Sequence, residues 1–364
     1  MSDTLNRTSA LASRHRALGS DLEDWNGMGT AWSYHTDPRD EHDAVRERAG
    51  MFDMSPLKKQ VVRGPDAQAV LDHLTTRDMA RLTPGRAAYV SVLTETGTLA
   101  DDAIVSNCGD DTWWVVHGSG DTAALLQASA QGRNVSVQLD DDLHNVSVQG
   151  PASLETLNPH CDIDLAALAY FDHAPAALFG HPCRLSRTGY SGERGYEVFA
   201  SASHIGPIWD ALVDAGVMPC SFTALDALRI EAGLLFYGYD MTDEHTPWEA
   251  GLGFTVNTGK SDFRGKAAVV AAQGRERVRN VTLRVDHSAA LTGGETLVAA
   301  DVDVGVVNSP CFSHRLNASL ALAHVRPDIA DGAVLQVSGD GLQTTATVVA
   351  SPVHDPEKQR THAR

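Results

Sequence analysis

The stretch SRTGYSGERGYEVF at residues 186–199 has the pattern of two extended segments joined by a glycine-rich turn. Gly189, Gly192 and Gly195 allow the positive φ angles or close backbone approach that such a turn requires. Glu197 then falls inside the second strand, directly before two apolar residues, and an unpaired buried carboxylate is costly. The pattern alone predicts either an exposed hairpin with a surface glutamate, which is the simpler interpretation, or a glutamate with a fixed polar partner.

Length and charge define the broad class of the protein. The chain has 364 residues, enough for roughly two or three domains, and a formal net charge of −18. Because a phosphate-backbone partner requires clustered Lys and Arg, this balance argues against a nucleic-acid partner. The sequence has no run of 18 apolar residues and its first 24 residues are polar, so we expect no membrane span, no signal peptide and a cytoplasmic location.

The cysteines and histidines form no recognisable metal-binding motif. The five cysteines are scattered without a Cys-x-x-Cys pair, which fits a reducing compartment. None of the sixteen histidines has convincing ligand spacing. The sequence therefore predicts no metal site.

Two adjacent acids lie in the middle of a predicted strand at residues 98–106. Alternation along the strand places Asp102 on one face with Ile104 and Asp101 on the other face. Because acids are unfavourable in mid-strand, they indicate either an edge strand protected against aggregation or a functional site.

Tyr89 and Arg229 each allow an ordinary structural interpretation. Tyr89 lies on the partner strand of the same hairpin, residues 86–93, where a half-buried aromatic is common. Arg229 lies in a predicted helix at residues 223–235, at the border of its apolar stripe. A surface ion pair with Asp226 is the ordinary expectation for that arginine.

Together these segments resemble the folate-dependent aminomethyltransferase family, which includes the T-protein of glycine cleavage and several tetrahydrofolate-dependent demethylases. Residues 187–197 are similar to its signature Arg-Thr-Gly-Tyr-Thr-Gly-Glu-x-Gly-Phe/Tyr-Glu, and residues 97–105 to its Gly-Gly-Ile-Ile-Asp-Asp-Leu-Ile-Val. Residues 229–240 and 246–253 resemble its Arg-Leu-Glu-Ala-x-x-x-x-Tyr-Gly-x-Asp and Thr-Pro-x-Glu-Ala-Gly-Leu-Gly segments. The resemblance runs in matching order over residues 40–352.

The resemblance implies tetrahydrofolate as the cofactor and particular residues around it. Asp102 is the implied catalytic residue, with Asp101 in reserve. The implied folate contacts are Tyr89, Tyr190, Glu197 and Arg229. A carboxylate at Glu197 would accept paired hydrogen bonds from the 2-amino group and an adjacent ring N–H of the pterin. The implied substrate side comprises Met54, His117 and Trp248, and the anionic glutamate tail of folate would need a local basic pocket.

The resemblance also implies an α+β fold, with three domains in a cloverleaf ring, folate in a central hole and a C-terminal β-barrel-like domain. Residues 1–50 and 145–245 would form the first domain, which carries the glycine-rich hairpin. Residues 51–144 and 246–277 would form the second, which carries Asp102, and residues 278–364 the third. The strand-rich composition after residue 277 independently indicates the last boundary.

Two departures from the T-protein pattern bear on function. Residues 56–59 read Pro-Leu-Lys-Lys where the T-protein usually has His-Met-Gly, and residues 117–120 read His-Gly-Ser-Gly in place of Asn-Ala-x-Asn. These positions would lie on the donor side of the cavity. We therefore expect a demethylase-type enzyme that moves a one-carbon unit from a small methylated donor to tetrahydrofolate.

Two alternatives remain. One is a true T-protein that serves a lipoyl carrier protein. The other is a non-catalytic folate-binding protein, although the Lys-Gly-Cys-x-x-Gly-Gln motif of such relatives is absent from the sequence.

Overall fold

The structure is a computed structural model that describes residues 5–339 and 341–363. Residues 1–4 and Arg364, which are the outer ends of the predicted first and third domains, lie outside the described residues, as does Asp340.

The strands up to residue 219 are β1 (Glu23–Trp25), β2 (Met28–Thr30), β3 (Gly50–Asp53), β4 (Lys58–Arg63), β5 (Ala87–Leu93), β6 (Leu99–Gly109), β7 (Thr112–His117), β8 (Ser136–Leu139), β9 (Leu143–Gln149), β10 (His173–Leu178), β11 (His181–Ser186), β12 (Gly195–Ser201) and β13 (Met218–Pro219). The later strands are β14 (Arg279–Val285), β15 (Thr296–Ala299), β16 (Val302–Ser313), β17 (Ala318–Val325), β18 (Val334–Gly339) and β19 (Leu342–Val349).

The α-helices are α1 (Ala12–Ala17), α2 (Pro38–Glu47), α3 (Ala67–Leu74), α4 (Thr122–Ala130), α5 (Ser153–Leu157), α6 (Ala202–Asp214), α7 (Phe222–Glu231) and α8 (Lys266–Ala272). Short 3-10 turns cover Met79–Arg81, Asn158–His160, Leu165–Ala167 and Gly253–Thr255.

The first sheet has the spatial order β10-β11-β12-β9-β3-β13 within the described residues. Helix α6 packs on one face of this sheet and buries Trp209 and Leu212 in its core. Strand β3 joins this sheet because it pairs antiparallel with β9, which buries Met51 in the same core. The predicted boundaries at residues 50/51 and 144/145 therefore fall inside β3 and β9.

The second sheet has the order β5-β6-β7-β4-β8 in the part of the chain that the structure describes. Helices α3 and α4 cover one of its faces and bury Val70, Leu71 and Leu126 against Val90 and Val115. Its other face is turned toward the first sheet, since Asp102 and His117 of this sheet and Glu197 of the first line one shared cavity.

The C-terminal strands close into a barrel, with the order β14-β17-β16-β15-β18-β19 and β19 returning to β14 in the described residues. Leu283, Leu297, Ala321, Leu335 and Val348 fill its interior. The predicted α+β fold with a C-terminal barrel is confirmed.

The glycine-rich turn between β11 and β12 is not an exposed hairpin. Arg46 of α2 lies behind it and donates to the Glu193 carboxylate at 3.0 Å and to Glu231 of α7 at 2.7 Å. From the C-terminal segment, His354 and Arg360 contact Glu193, both at 2.7 Å. Residues 353–363, which have the composition of a charged tail, therefore pack against the glycine-rich turn and fix it.

We predict that Arg46→Met lowers the free energy of unfolding by about 3–5 kcal/mol, because removing one member of a buried ion network leaves the others uncompensated. Urea denaturation followed by circular dichroism measures this change. Arg326→Met is the matched control, since Arg326 pairs with the exposed Asp328 and should leave the midpoint unchanged. Equal midpoints for Arg46→Met and the wild type would show that the network does not hold the turn.

Candidate functional site

A cavity of about 1210 Å³ lies at the centre of the molecule. One wall comes from β5, β6 and β7 of the second sheet and the opposite wall from β12 and the glycine-rich turn. Further lining comes from segments 77–83, 232–237 and 250–257 and from residues of the C-terminal segment. A cavity of this size accommodates a large organic cofactor together with a small substrate.

Asp102 faces this cavity from the middle of β6, as the alternation predicts. Burial raises the pKa of Asp102 to about 7, the negative charge of Asp101 adds to the increase, and a hydrogen bond with Tyr89 opposes it. Burial and the adjacent Asp102 raise the pKa of Tyr89 above its usual range, so the phenol stays protonated and donates to the carboxylate. Asp102 is therefore a carboxyl group that titrates near pH 7, and the Tyr89 hydroxyl beside it remains a hydrogen-bond donor.

Asp101 points away from the cavity, so the structure does not support its reserve role as a group that reaches the ligand. It is completely buried and accepts hydrogen bonds from the Asp102 backbone N–H at 2.9 Å, from Thr122 at 2.7 Å and from His117 Nδ1 at 3.0 Å. Its position on the opposite face of β6 follows from strand alternation. Asp101 instead orients His117.

His117 ends β7 and lines the cavity, where the predicted substrate side would be. Because Nδ1 is held by the Asp101 carboxylate, Nδ1 carries the proton and Nε2 is left as an acceptor. Nε2 is buried and has no hydrogen-bond partner among the described residues. An orphaned acceptor on a cavity wall is suited to a polar group of a bound molecule.

Glu197 lines the opposite wall on β12, and its carboxylate has fixed polar partners. One oxygen accepts from the Asn145 side chain at 3.0 Å, and the other accepts from the Thr188 hydroxyl. These contacts hold the carboxylate in one orientation while each oxygen keeps a free lone pair. The fixed-partner interpretation of Glu197 is therefore confirmed over the surface glutamate.

Tyr190 lies in the glycine-rich turn and presents its ring to the cavity. Its hydroxyl donates to the carbonyl of Leu235 at 2.5 Å, which joins the turn to segment 232–237. The structure thus brings Tyr89, Asp102, Tyr190 and Glu197 to one cavity, together with Met54 and His117.

Arg229 and Trp248 are not among the residues that line this cavity in the described chain. The Arg229 guanidinium contacts Asp226 at 2.8 Å, Asp240 at 2.5 Å and Ser309 of the barrel at 2.8 Å, which uses all of its nitrogens. Its direct folate contact is therefore not supported, and the arginine instead fixes the segment after α7.

The Trp248 indole donates to the Val269 carbonyl at 2.7 Å and packs against Gly253. Trp248 therefore lies behind segment 250–257 and supports the cavity wall without reaching the cavity. The shared motif identified the segment, but it could not indicate which side of the backbone the indole occupies.

Sequence reasoning noted that residues 25–34 depart from the T-protein pattern and would lie on the donor side, but it did not identify Trp25 as part of an aromatic group. Trp25 lines the cavity, contacts the rings of Phe222 and Phe236 at centroid distances of 5.2 and 5.8 Å, and donates to Ser119 at 3.2 Å. That departure was the available signal, but the aromatic partners Phe222 and Phe236 lie far away in the chain, where no local pattern connects them to Trp25.

The cavity also has a basic rim that the sequence did not reveal. Arg77, Arg81 and Arg86 all line it, although the chain as a whole is strongly acidic. Arg81 and Arg86 have carboxylate partners in Asp78 and Asp172. The Arg77 Nε is buried without a hydrogen-bond partner in the described ranges, and its guanidinium lies 5.8 Å from the Phe254 ring centroid.

Comparisons with known proteins agree with this geometry. Residues 11–260 match the family model of the GCVT N-terminal domain, and residues 277–355 match that of the glycine cleavage T-protein C-terminal barrel domain. A heme-dependent oxidative N-demethylase gamma subunit from Ectopseudomonas mendocina is 45% identical, with 98% of each chain covered. An aminomethyltransferase from Streptomyces coelicolor is 35% identical, covering 98% of this chain and 100% of that protein.

A solved structure shares the fold. The glycine cleavage system aminomethyltransferase T from Bartonella henselae superimposes with a TM-score of 0.88 at 24% identity, over 95% of this chain and 98% of that one. Across residues 5–339 and 341–363, none of the helices has the length and apolar character that crossing a membrane requires. The matching family models cover both the N-terminal region and the barrel, and so this chain belongs to the aminomethyltransferase family of the glycine cleavage T-protein.

Proposed function

We propose that this chain transfers a one-carbon unit from a small methylated amine to tetrahydrofolate. The observation that carries the proposal is the convergence of Asp102 and Glu197, from two different sheets, on one cavity lined by aromatic rings. Family membership supports a one-carbon transferase, and the cavity supplies the groups that such chemistry requires.

The Glu197 wall fits the pterin end of the cofactor. A carboxylate with a fixed orientation and free lone pairs accepts paired hydrogen bonds from an amino group and an adjacent ring N–H. Tyr190 provides a flat surface beside it. Glu197 would thus select and orient the ring, with Tyr190 limiting its position.

The basic rim fits the anionic tail of the cofactor. Arg77 has a buried nitrogen with no hydrogen-bond partner in the described chain, whereas Arg81 and Arg86 are already paired with acids. Because a guanidinium binds carboxylates in paired geometry, Arg77 is the arginine that remains available for a glutamate group.

Bound tetrahydrofolate supplies the ring nitrogen that accepts the carbon. Asp102 could take up the proton that leaves the accepting ring N–H as the new carbon–nitrogen bond forms, and pass it to the departing amine nitrogen as the old carbon–nitrogen bond breaks, since its pKa of about 7 matches proton transfer near neutral pH. Tyr89 holds the carboxylate in place by its hydrogen bond. The enclosing walls exclude water and bring the reactants together, which supplies much of the rate gain in such transfers.

The donor side is the region around His117. Its Nε2 acceptor, oriented through Nδ1 by Asp101, can hold the N–H of an amine. Trp25, Phe222 and Phe236 add aromatic faces that attract a methylated cationic nitrogen. A small amine would therefore lie between the aromatic group and His117.

The name of the Ectopseudomonas mendocina relative supports an N-demethylating role within a multi-subunit enzyme. By this proposal a separate oxidising subunit prepares the amine carbon, and the present chain transfers it to the cofactor. The second candidate is a T-protein that takes its carbon from a lipoyl carrier protein, which the aminomethyltransferase relatives support. The His-Gly-Ser-Gly segment at residues 117–120 favours the amine donor, because it places an imidazole on the donor wall.

We predict that tetrahydrofolate raises the melting temperature of the wild type. Glu197→Ala should weaken the affinity of the protein for tetrahydrofolate at least tenfold, because the paired acceptor for the pterin is lost. Isothermal titration calorimetry measures the affinity. Glu276→Ala, which changes a carboxylate outside the cavity, is the control. Unchanged affinity in Glu197→Ala would exclude the pterin contact.

Arg77→Met should weaken binding of polyglutamylated tetrahydrofolate more than binding of a folate analogue without glutamate. The reason is that only the tail carries the carboxylates that the guanidinium would pair with. Fluorescence quenching measures both dissociation constants. The constant of the analogue divided by that of polyglutamylated tetrahydrofolate should be about tenfold or more lower in the variant than in the wild type. An equal loss for both ligands would place Arg77 in a structural role instead.

Asp102→Asn should retain folate affinity but lose about 10²–10⁴-fold in turnover, which is the usual contribution of a positioned proton acceptor. Because Asp102 acts as the carboxylate, wild-type kcat/KM should fall as pH decreases through about 7, and this ionisation should vanish in the variant. Product folate is measured by mass spectrometry after mixing enzyme, tetrahydrofolate and formaldehyde with methylamine or dimethylamine, as the initial rate above controls that lack enzyme or amine, because formaldehyde also condenses with tetrahydrofolate unaided.

The same assay separates the two candidate functions. Transfer from the amine mixture without a lipoyl carrier supports the amine donor, whereas transfer only from an aminomethylated lipoyl carrier protein would establish the T-protein. Full activity of Asp102→Asn at every pH would remove Asp102 from the mechanism.

A further inference from the structure

A cluster of metal-ligating side chains lies outside the cavity, where α2 meets the end of β16. His42 and Asp43 come from α2, and His314 follows β16 of the barrel. Their imidazole nitrogens and a carboxylate oxygen all lie within 4.8 Å of one another. We propose that these residues bind a divalent transition-metal ion of the Zn²⁺ type, which joins the first part of the chain to the barrel.

His42 is arranged as a metal ligand. Its Nε2 lies 3.0 Å from the Glu231 carboxylate, which places the ring proton on Nε2 and leaves the lone pair on Nδ1. The side chain is 2% exposed, and Nδ1 has no hydrogen-bond partner in the described part of the chain. A carboxylate behind a histidine is the usual support of a ligating imidazole, because it fixes the tautomer and the ring orientation.

The spacing of the other two ligands fits a tetrahedral ion. Nitrogen and oxygen ligands at zinc bond lengths lie about 3.3 Å apart from one another. Asp43 Oδ1 lies 3.7 Å from His42 Nδ1 and 2.8 Å from His314 Nε2, which are values on either side of that spacing. The partly exposed His314 can rotate to complete the geometry.

A fourth position is available for water. A small cavity of about 250 Å³ adjoins the cluster and is lined by both His42 and His314. Two imidazoles, one carboxylate and a water form a common zinc ligand set, whereas Mg²⁺ prefers oxygen ligands.

Among the described residues in direct contact with Asp43, Arg315 opposes metal binding. Its guanidinium lies 2.9 Å from Asp43 Oδ1, but it also contacts Glu47 at 2.7 Å and is 37% exposed. It can therefore remain with Glu47 when an ion takes Asp43. Substitution of Arg315 should therefore strengthen metal binding, whereas substitution of a metal ligand should weaken it.

The test uses the full chain, stripped with a chelator and titrated with ZnCl₂ in a calorimeter and in thermal unfolding. We expect one ion per chain and a higher melting temperature with Zn²⁺ but not with Mg²⁺. His314→Ala and Asp43→Asn should each weaken binding at least tenfold, and Arg315→Gln should strengthen it. His160→Ala, a change at an exposed histidine elsewhere, should have no effect.

Absence of stoichiometric Zn²⁺ binding would overturn the proposal, as would unchanged affinity in His314→Ala. If that variant does not fold, anomalous diffraction from wild-type crystals soaked in ZnCl₂ decides the question. An anomalous peak at bonding distance from His42 Nδ1 supports the site, and a map without such a peak refutes it. None of these measurements depends on folate or on transfer activity.

Discussion

The glycine-rich turn is held in place by a buried ion network, and the geometry of the central cavity depends on it. Arg46 is shared between Glu193 in the turn and Glu231 on α7, while His354 and Arg360 reach Glu193 from the C-terminal segment. Buried ion pairs add little net stability compared with an apolar core, but a missing partner is costly. We infer that the network selects one arrangement of the turn, and thereby the positions of Tyr190 and Glu197.

The two adjacent acids show how one strand separates a structural role from a chemical one. Asp101 is completely buried and accepts hydrogen bonds from three donors. Asp102 has lost solvation without gaining comparable partners, and it also experiences the charge of Asp101, so its pKa rises to about 7. Strand alternation alone produces this difference, because it directs consecutive side chains into opposite environments.

Much of the fold could be predicted from the sequence, because local patterns and a long motif agreed. Strands β5 and β6 and the alternation at Asp102 followed from periodicity. The errors occur where distant contacts override local signals. The sequence pattern predicts a helix at residues 207–215, but helix α6 begins at Ala202, because apolar burial against the first sheet outweighs the cost of an internal proline.

At the C-terminal end of helix α7, too, a distant contact overrides the local sequence pattern. The apolar stripe predicted a helix to residue 235, but the helix ends at Glu231 because Gly233 has a φ of +64° and lies against Ser351. The chain that leaves the helix then forms a wall of the cavity. Arg229, whose role was inferred from a motif, lies behind this wall, since motif similarity identifies a segment but does not show which way a side chain points.

Residues 117–120, which depart from the T-protein pattern, include two positions that are coupled through Asp101. The backbone at Gly120 passes so close to Asp101 that a Cβ there would lie 2.6 Å from the Asp101 carboxyl carbon. A larger residue would displace the carboxylate that holds His117 Nδ1, and His117 would then lose its orientation. The orientation of His117 therefore depends on the glycine three residues later, whereas Glu197 on the opposite wall is held by Asn145 and Thr188 and contacts neither residue.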